Sequence, residues 1–175
     1  MHIRTTFISG FPGETPEQHQ ELLEFVQSFG FDAMGVFPYS PEPGTPAGRL
    51  HEQGDAIDPE VVQARVEELM LAQQEVVFTR NQQLAAQEET VDVLIDEVTG
   101  TVGEATAGVS AGGTLYAGRH RGQAPEVDAA TYVLSENECA PGEVITCRII
   151  DHDEYDLIAR PTAELDSAVK LPVME

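Results

Sequence analysis

The feature that most constrains this chain is a change of hydrophobic period near residue 90, because a helical pattern does not settle as strands, nor the reverse. Before that point, apolar residues fall in two short runs, Ile3–Ser9 (I-R-T-T-F-I-S) and Ala33–Phe37 (A-M-G-V-F). Between them lies a stretch with helical spacing, Leu22, Leu23, Val26 and Phe29. After residue 90 strict alternation takes over, with Val91, Val93 and Ile95 on one face of a strand. The 175 residues therefore read as an α/β part followed by an all-β part.

The first part is well punctuated. Thr15-Pro16-Glu17-Gln18 offers a reciprocal capping box with proline in the first turn, and Gly30 stands where a left-handed residue ends a helix. Two strands joined by a helix are parallel, with a right-handed crossover. The loops G-F-P-G-E-T (Gly10–Thr15) and P-Y-S-P-E-P-G-T-P-A (Pro38–Ala47) then leave neighbouring strands at the same edge. That is the edge where parallel α/β proteins place ligands. One such unit can neither close a barrel nor cover both of its faces, so this half looks incomplete.

A long helix is expected from Asp58, as cap, to about Gln87, with Val62, Val66, Leu69, Val76 or Val77 and Leu84 on one stripe. It is taken as the boundary between residues 1–57 and a barrel of residues 90–162. Further strands are expected near residues 101–109, 115–118, 131–134, 143–150 and 155–159, which suits a small antiparallel barrel of the OB type. Residues 163–175 read as a frayed tail.

Charge narrows the partners. Nine Lys+Arg against 31 Asp+Glu give −22. With the chain divided after Glu89, each part carries −11. A surface this acidic repels nucleic acid unless a local basic patch overrides it, and the one dense patch is Arg119-His120-Arg121. A basic protein partner fits better, although high charge also serves solubility alone. No run of 18 apolar residues spans a membrane, and the first residues hold no secretory signal. Two cysteines are too few for a disulfide framework or a four-thiolate zinc site, and a cytoplasmic, reduced setting is the default.

Site chemistry is sparse. G-F-P-G-E-T lacks the Lys and Ser/Thr of a Walker loop and the third glycine of a dinucleotide fingerprint. As an isolated motif it is better explained by a plain strand-to-helix turn than by a ligand loop. The acidic run Asp151–Asp156 lacks the spacing and central glycine of a calcium loop and reads as a solvated turn. Cys139 and Cys147 read as buried structural residues.

Taken together, R-T-T-F-I-S-G-F-P-G-E-T, G-V-F-P-Y-S-P-E-P-G-T-P-A, the helix with R-x-x-x-L-M-x-x-Q-Q (Arg65–Gln74) and Arg80-Asn81 resemble the methylthiotransferases. These are radical S-adenosylmethionine enzymes with two 4Fe–4S clusters. T-V-D-V-L-I-D through D-H-D-E-Y-D-L-I-A is similar to their C-terminal TRAM domain. Glu42 in Y-S-P-E-P-G-T, the segment Gly118–Asp128 and the ending D-E-Y-D-L resemble the RimO branch, which acts on an aspartate of a small-subunit ribosomal protein. The tRNA-modifying branch tends to carry Arg in place of Glu42.

The resemblance implies a partial TIM-like radical S-adenosylmethionine barrel, a linking helix over 58–89 and an OB-like TRAM barrel. It implies that Gly10, Phe11, Gly13, Glu14, Phe37, Tyr39 and Ser40 line an S-adenosylmethionine cavity. The family's C-x-x-x-C-x-x-C motif and its three further cluster cysteines are not in this sequence. The chain is therefore expected to match the last third of such an enzyme, to hold no cluster and to be inactive alone. Its expected partners are a basic ribosomal protein, held by the acidic barrel, and the N-terminal part of the same enzyme. A free-standing binding module is the rival from another class. Residues 100–114 resemble an insertion in a compact TRAM domain.

Overall fold

The computed structural model of the protein describes residues 2–103 and 113–168. The chain divides into two compact units, Met1–Val77 and Phe78–Glu175.

The first unit begins with strand β1 (Arg4–Ser9), helix α1 (Pro16–Phe29) and strand β2 (Ala33–Pro38). Helix α1 starts where its residues dictate: Thr15 and Gln18 form the reciprocal capping box, and Gly30 closes the helix at φ 72°. β1 and β2 pair in parallel, Ile8 opposite Phe37 and Ser9 opposite Pro38, as the strand–helix–strand reading requires. A short helix α2 (Pro46–Leu50) and a π-helical turn (His51–Asp55) follow. Neither is expected from the sequence pattern, yet Thr45-Pro46 repeats the cap-and-proline signature of Thr15-Pro16.

Helix α3 (Pro59–Ala86) is the long helix. Asp58 caps it, its carboxylate accepting from the Glu60 N–H at 2.8 Å. Its Leu69 and Ala72 pack with Leu23, Val26 and Val36 in a core beneath one face of the two-stranded sheet. The opposite face is uncovered, and its register partners Ile8 and Phe37 are 58% and 60% exposed. At the flank, Phe25 and Phe29 stand half in solvent beside Phe31.

The second unit is a closed five-stranded barrel in the order β3-β4-β5-β7-β6. Its strands are β3 (Thr90–Thr101), β4 (Thr114–His120), β5 (Thr131–Ser135), β6 (Val144–Asp153) and β7 (Asp156–Pro161). β3 carries two register shifts, after Ile95 and after Val98, and pairs with β6 through its first half and β4 through its second. Such bulges bend one strand enough to serve both sides of a small closed barrel. Val93, Ile95, Tyr116, Val133, Cys139, Cys147 and Ala159 fill the interior.

Three expectations change. The barrel is not wholly antiparallel: β5 and β7 pair in parallel, Thr131 opposite Leu157, which is how the sheet closes. Of the strand expected over 101–109, Thr101 is the end of β3 and residues 104–109 lie outside the described residues. Residues 163–168 belong to helix α4 (Thr162–Ala168) rather than to a frayed tail. The helix persists because Glu164 is buried and bonded into the barrel.

Candidate functional site

The parallel pairing places both rim loops at the C-terminal edge of β1 and β2. The Tyr39 N–H donates to the Ser9 carbonyl at 2.8 Å, fixing one loop against the other. Phe11 and Tyr39 meet edge to face, with ring centroids 5.5 Å apart, and His51 lies 6.2 Å beyond Tyr39. Gly10, Phe11, Gly13, Phe37, Tyr39 and Ser40 thus share one edge, and Phe11 and Phe37 present exposed rings there.

The Gly10–Glu14 turn is shaped from beneath. Gly10 and Gly13 have φ of 81° and 82°, a region that favours glycine. A Cβ on Gly10 would lie 2.5 Å from a methyl of Val62. This close approach is made to α3, not to open space. The Glu14 N–H donates to the Phe11 carbonyl at 2.9 Å, and the Gly13 N–H donates to the Asp55 carbonyl at 2.9 Å. Glu14 faces inward: its Oε2 accepts from the Gly10 N–H at 2.9 Å and its Oε1 from Arg65 at 2.6 Å.

Two hydroxyls at this edge, Ser9 Oγ and Tyr39 OH, are buried without a hydrogen-bond partner. Unsatisfied buried hydroxyls are costly, so each calls for an explanation such as a ligand or a water. Ser9 alternates onto the Phe7 face, which packs on the core and α3, away from Phe37, so of the two hydroxyls only that of Tyr39 lies with the exposed rings of Phe11 and Phe37. His51 is not singled out by the sequence, whereas Ser9 and Arg65 enter it only as members of the motifs R-T-T-F-I-S-G-F-P-G-E-T and Arg65–Gln74, with no role at the rim assigned to either.

An iron–sulfur centre finds no such fit. Among the described residues, no three of His, Cys, Asp and Glu converge to hold a metal ion. Both thiols are buried in the barrel core, where burial pushes Cys147 up to about 12, helped by the charges of Cys139, Glu164 and Asp92. A protonated, buried thiol is not a cluster ligand.

Comparison with known proteins decides what the second unit is. Residues 89–161 match the family described as TRAM domain. They are a TRAM domain. The rest of the comparison extends to nearly the whole chain. It is 38% identical over 172 residues to the ribosomal protein uS12 methylthiotransferase RimO of Anaeromyxobacter sp. (strain Fw109-5), covering 98% of this chain and 33% of that protein. It is 42% identical over 155 residues to the same-named protein of Trichodesmium erythraeum, covering 89% and 31%. With that of Pseudomonas entomophila the identity is 39% over 159 residues, covering 91% and 32%. The chain spans about a third of the length of the curated relatives it matches. The resemblance to RimO-type methylthiotransferases is borne out.

Within the TRAM domain the basic triplet is largely engaged. Arg119 lies 3.6 Å from Asp96, and His120 Nδ1 accepts from the Gly122 N–H at 2.9 Å. The acidic run forms the β6–β7 hairpin, turning at Glu154 with φ 52°. Asp156 serves structure there, accepting from the Ala130 N–H at 2.7 Å. No described helix is long and apolar enough to cross a membrane.

Proposed function

We propose that this chain works as the C-terminal third of a RimO-type enzyme that transfers a methylthio group to the β-carbon of an aspartate in ribosomal protein uS12. The observation that carries this reading is the similarity in one continuous order across 89–98% of the chain, spanning both the α/β unit and the TRAM domain. In this reading the first unit is the last part of a parallel barrel. Its uncovered sheet face, with Ile8 and Phe37, and its flank, with Phe25 and Phe29, support that role, since such apolar surface marks a contact with further structure.

The rim of Gly10, Phe11, Gly13, Phe37, Tyr39 and Ser40 holds S-adenosylmethionine. Phe11 and Phe37 give it apolar faces, and Tyr39 gives it a hydroxyl group that is otherwise unsatisfied. When bound, with iron–sulfur clusters held elsewhere in the enzyme, that cofactor would supply the radical and the methyl group. The clusters belong to the N-terminal part of the enzyme, so the chain alone is inactive. The TRAM domain grips uS12 in the cytoplasm. Its charge supports this: residues 90–175 carry −11, which attracts a basic ribosomal protein and repels tRNA.

The test pairs two ligands. The purified chain is expected to bind uS12 with affinity that falls as salt rises, and to leave tRNA unshifted in a gel. Tight, salt-dependent tRNA binding without uS12 capture would move the chain to the tRNA-modifying branch and overturn the proposal.

A further inference from the structure

We propose that Arg65 is a positioning residue of the rim, acting through Glu14, and that Glu14 itself does not touch the ligand. This rests on the reading that the rim takes S-adenosylmethionine.

The ion pair is an expensive device to place here. The Arg65 and Glu14 side chains are 9% and 13% exposed, and burying two charges costs more than an apolar pair at the same positions. The geometry shows what that cost secures. Arg65 reaches across 51 residues of sequence to donate to Glu14 Oε1 at 2.6 Å and to the Glu14 carbonyl at 3.2 Å. The second carboxylate oxygen receives the Gly10 N–H at 2.9 Å. Each oxygen is therefore bonded within this clamp, one to the turn's own backbone and one to α3. One turn earlier on the same helix, Val62 closes on the Gly10 Cα.

The clamp matters because the turn is otherwise loose. Its two left-handed glycines lose more conformational freedom on ordering than any other residue would. Between them sits Phe11, 46% exposed, whose ring meets Tyr39 edge to face at 5.5 Å. What Arg65 fixes through Glu14 is thus the place of the Phe11 ring, a part of the surface that faces the ligand. Pre-organisation of this kind changes affinity by removing an ordering cost at binding.

The experiment uses the chain itself, isotopically labelled for NMR, with S-adenosylmethionine alone as probe. In Arg65→Lys the charge stays but the reach shortens. The expected result is a melting temperature within roughly 2 °C of the parent, loss of the Phe11–Tyr39 ring contact, and affinity about tenfold weaker. Glu14→Gln keeps an acceptor for Gly10 but leaves the buried Arg65 charge uncompensated, so it should act in the same direction and lower the melting temperature as well. In the parent, added S-adenosylmethionine should move the Phe11 and Tyr39 ring signals and leave the Glu14 carboxylate carbon unmoved. An unchanged Phe11–Tyr39 contact in Arg65→Lys, or a Glu14 carboxylate that responds to the ligand, overturns the inference. Ring signals in the parent that ignore S-adenosylmethionine would instead sink the reading of the rim, while the ring contact in Arg65→Lys would still judge the clamp.

Discussion

The Ser135 hydroxyl donates to the Glu164 carboxylate across 2.5 Å, joining the end of β5 to helix α4, 29 residues away. The same carboxylate accepts from the backbone N–H groups of Glu136 and Asn137 and from the Asn137 side-chain amide, with Arg160 at 3.4 Å. Burial alone would raise the pKa of Glu164, but these donors outweigh it and hold the group below its ordinary value of 4.5. α4 is thereby part of the barrel.

The pH dependence follows from that direction. A carboxyl whose folded pKa is depressed contributes stability above the unfolded value and loses it as pH falls through the folded one. The contribution of Glu164 is therefore complete above about pH 4.5 and drains away below it. Glu164→Ala leaves several buried donors unpaired and should cost about 3 kcal/mol at neutral pH. Urea unfolding at pH 7 and pH 3.5 checks both statements: the gap between parent and variant should narrow in acid. A constant gap would mean that the charge is not what holds α4.

Gly10 makes a second test, confined to the first unit. Gly10→Ala adds a methyl that meets Val62 at a φ of 81°. Overpacking costs about 1–3 kcal/mol and the left-handed conformation about 1 kcal/mol more. Gly10→Ala/Val62→Ala should recover the steric share and leave the conformational share. A double-mutant cycle showing no coupling between the two positions would refute this account of the close approach.

How much of this was legible in the residues depends on the range of each interaction. The Thr15–Gln18 box and Gly30 mark α1 to the residue because capping is local. The parallel register of β1 and β2 follows from the connecting helix, so the shared edge of both rim loops was readable as well. What escaped is long-range or polar. The parallel β5–β7 pair depends on how the barrel closes, which alternation does not encode. T-A-E-L-D-S-A lacks an apolar stripe, and α4 exists because one carboxylate meets donors from β5. Arg65 interrupts an apolar helix face, which signals a buried partner without saying which one.

The thiols give a third prediction. Burial raises the pKa of both cysteines, and that of Cys147 reaches about 12. Only the thiolate reacts, so at pH 8 Cys147 is almost wholly protonated and slow to react. A disulfide reagent should label the folded protein slowly at both positions and stoichiometrically in urea. One mole of fast thiol per mole of folded chain would contradict the burial of that residue.

Asn81 provides the last. Its side-chain amide donates to the Glu154 and Tyr155 carbonyls at 3.1 and 3.3 Å, while Phe78 meets the Tyr155 ring at 5.0 Å. Both α3 residues thus brace the tip of the β6–β7 hairpin, where Glu154 holds φ at 52° and strand pairing ends. A hairpin tip with a non-glycine residue in that conformation is held by its surroundings, and removing the brace should free it. Asn81→Leu keeps much of the volume but strands two carbonyls, at a cost of about 1–3 kcal/mol. Hydrogen exchange should then quicken at residues 153–157 before it changes in β3 or β4. Uniform acceleration across the whole barrel would show that Asn81 supports the fold at large, and unchanged exchange would show that the hairpin stands without it.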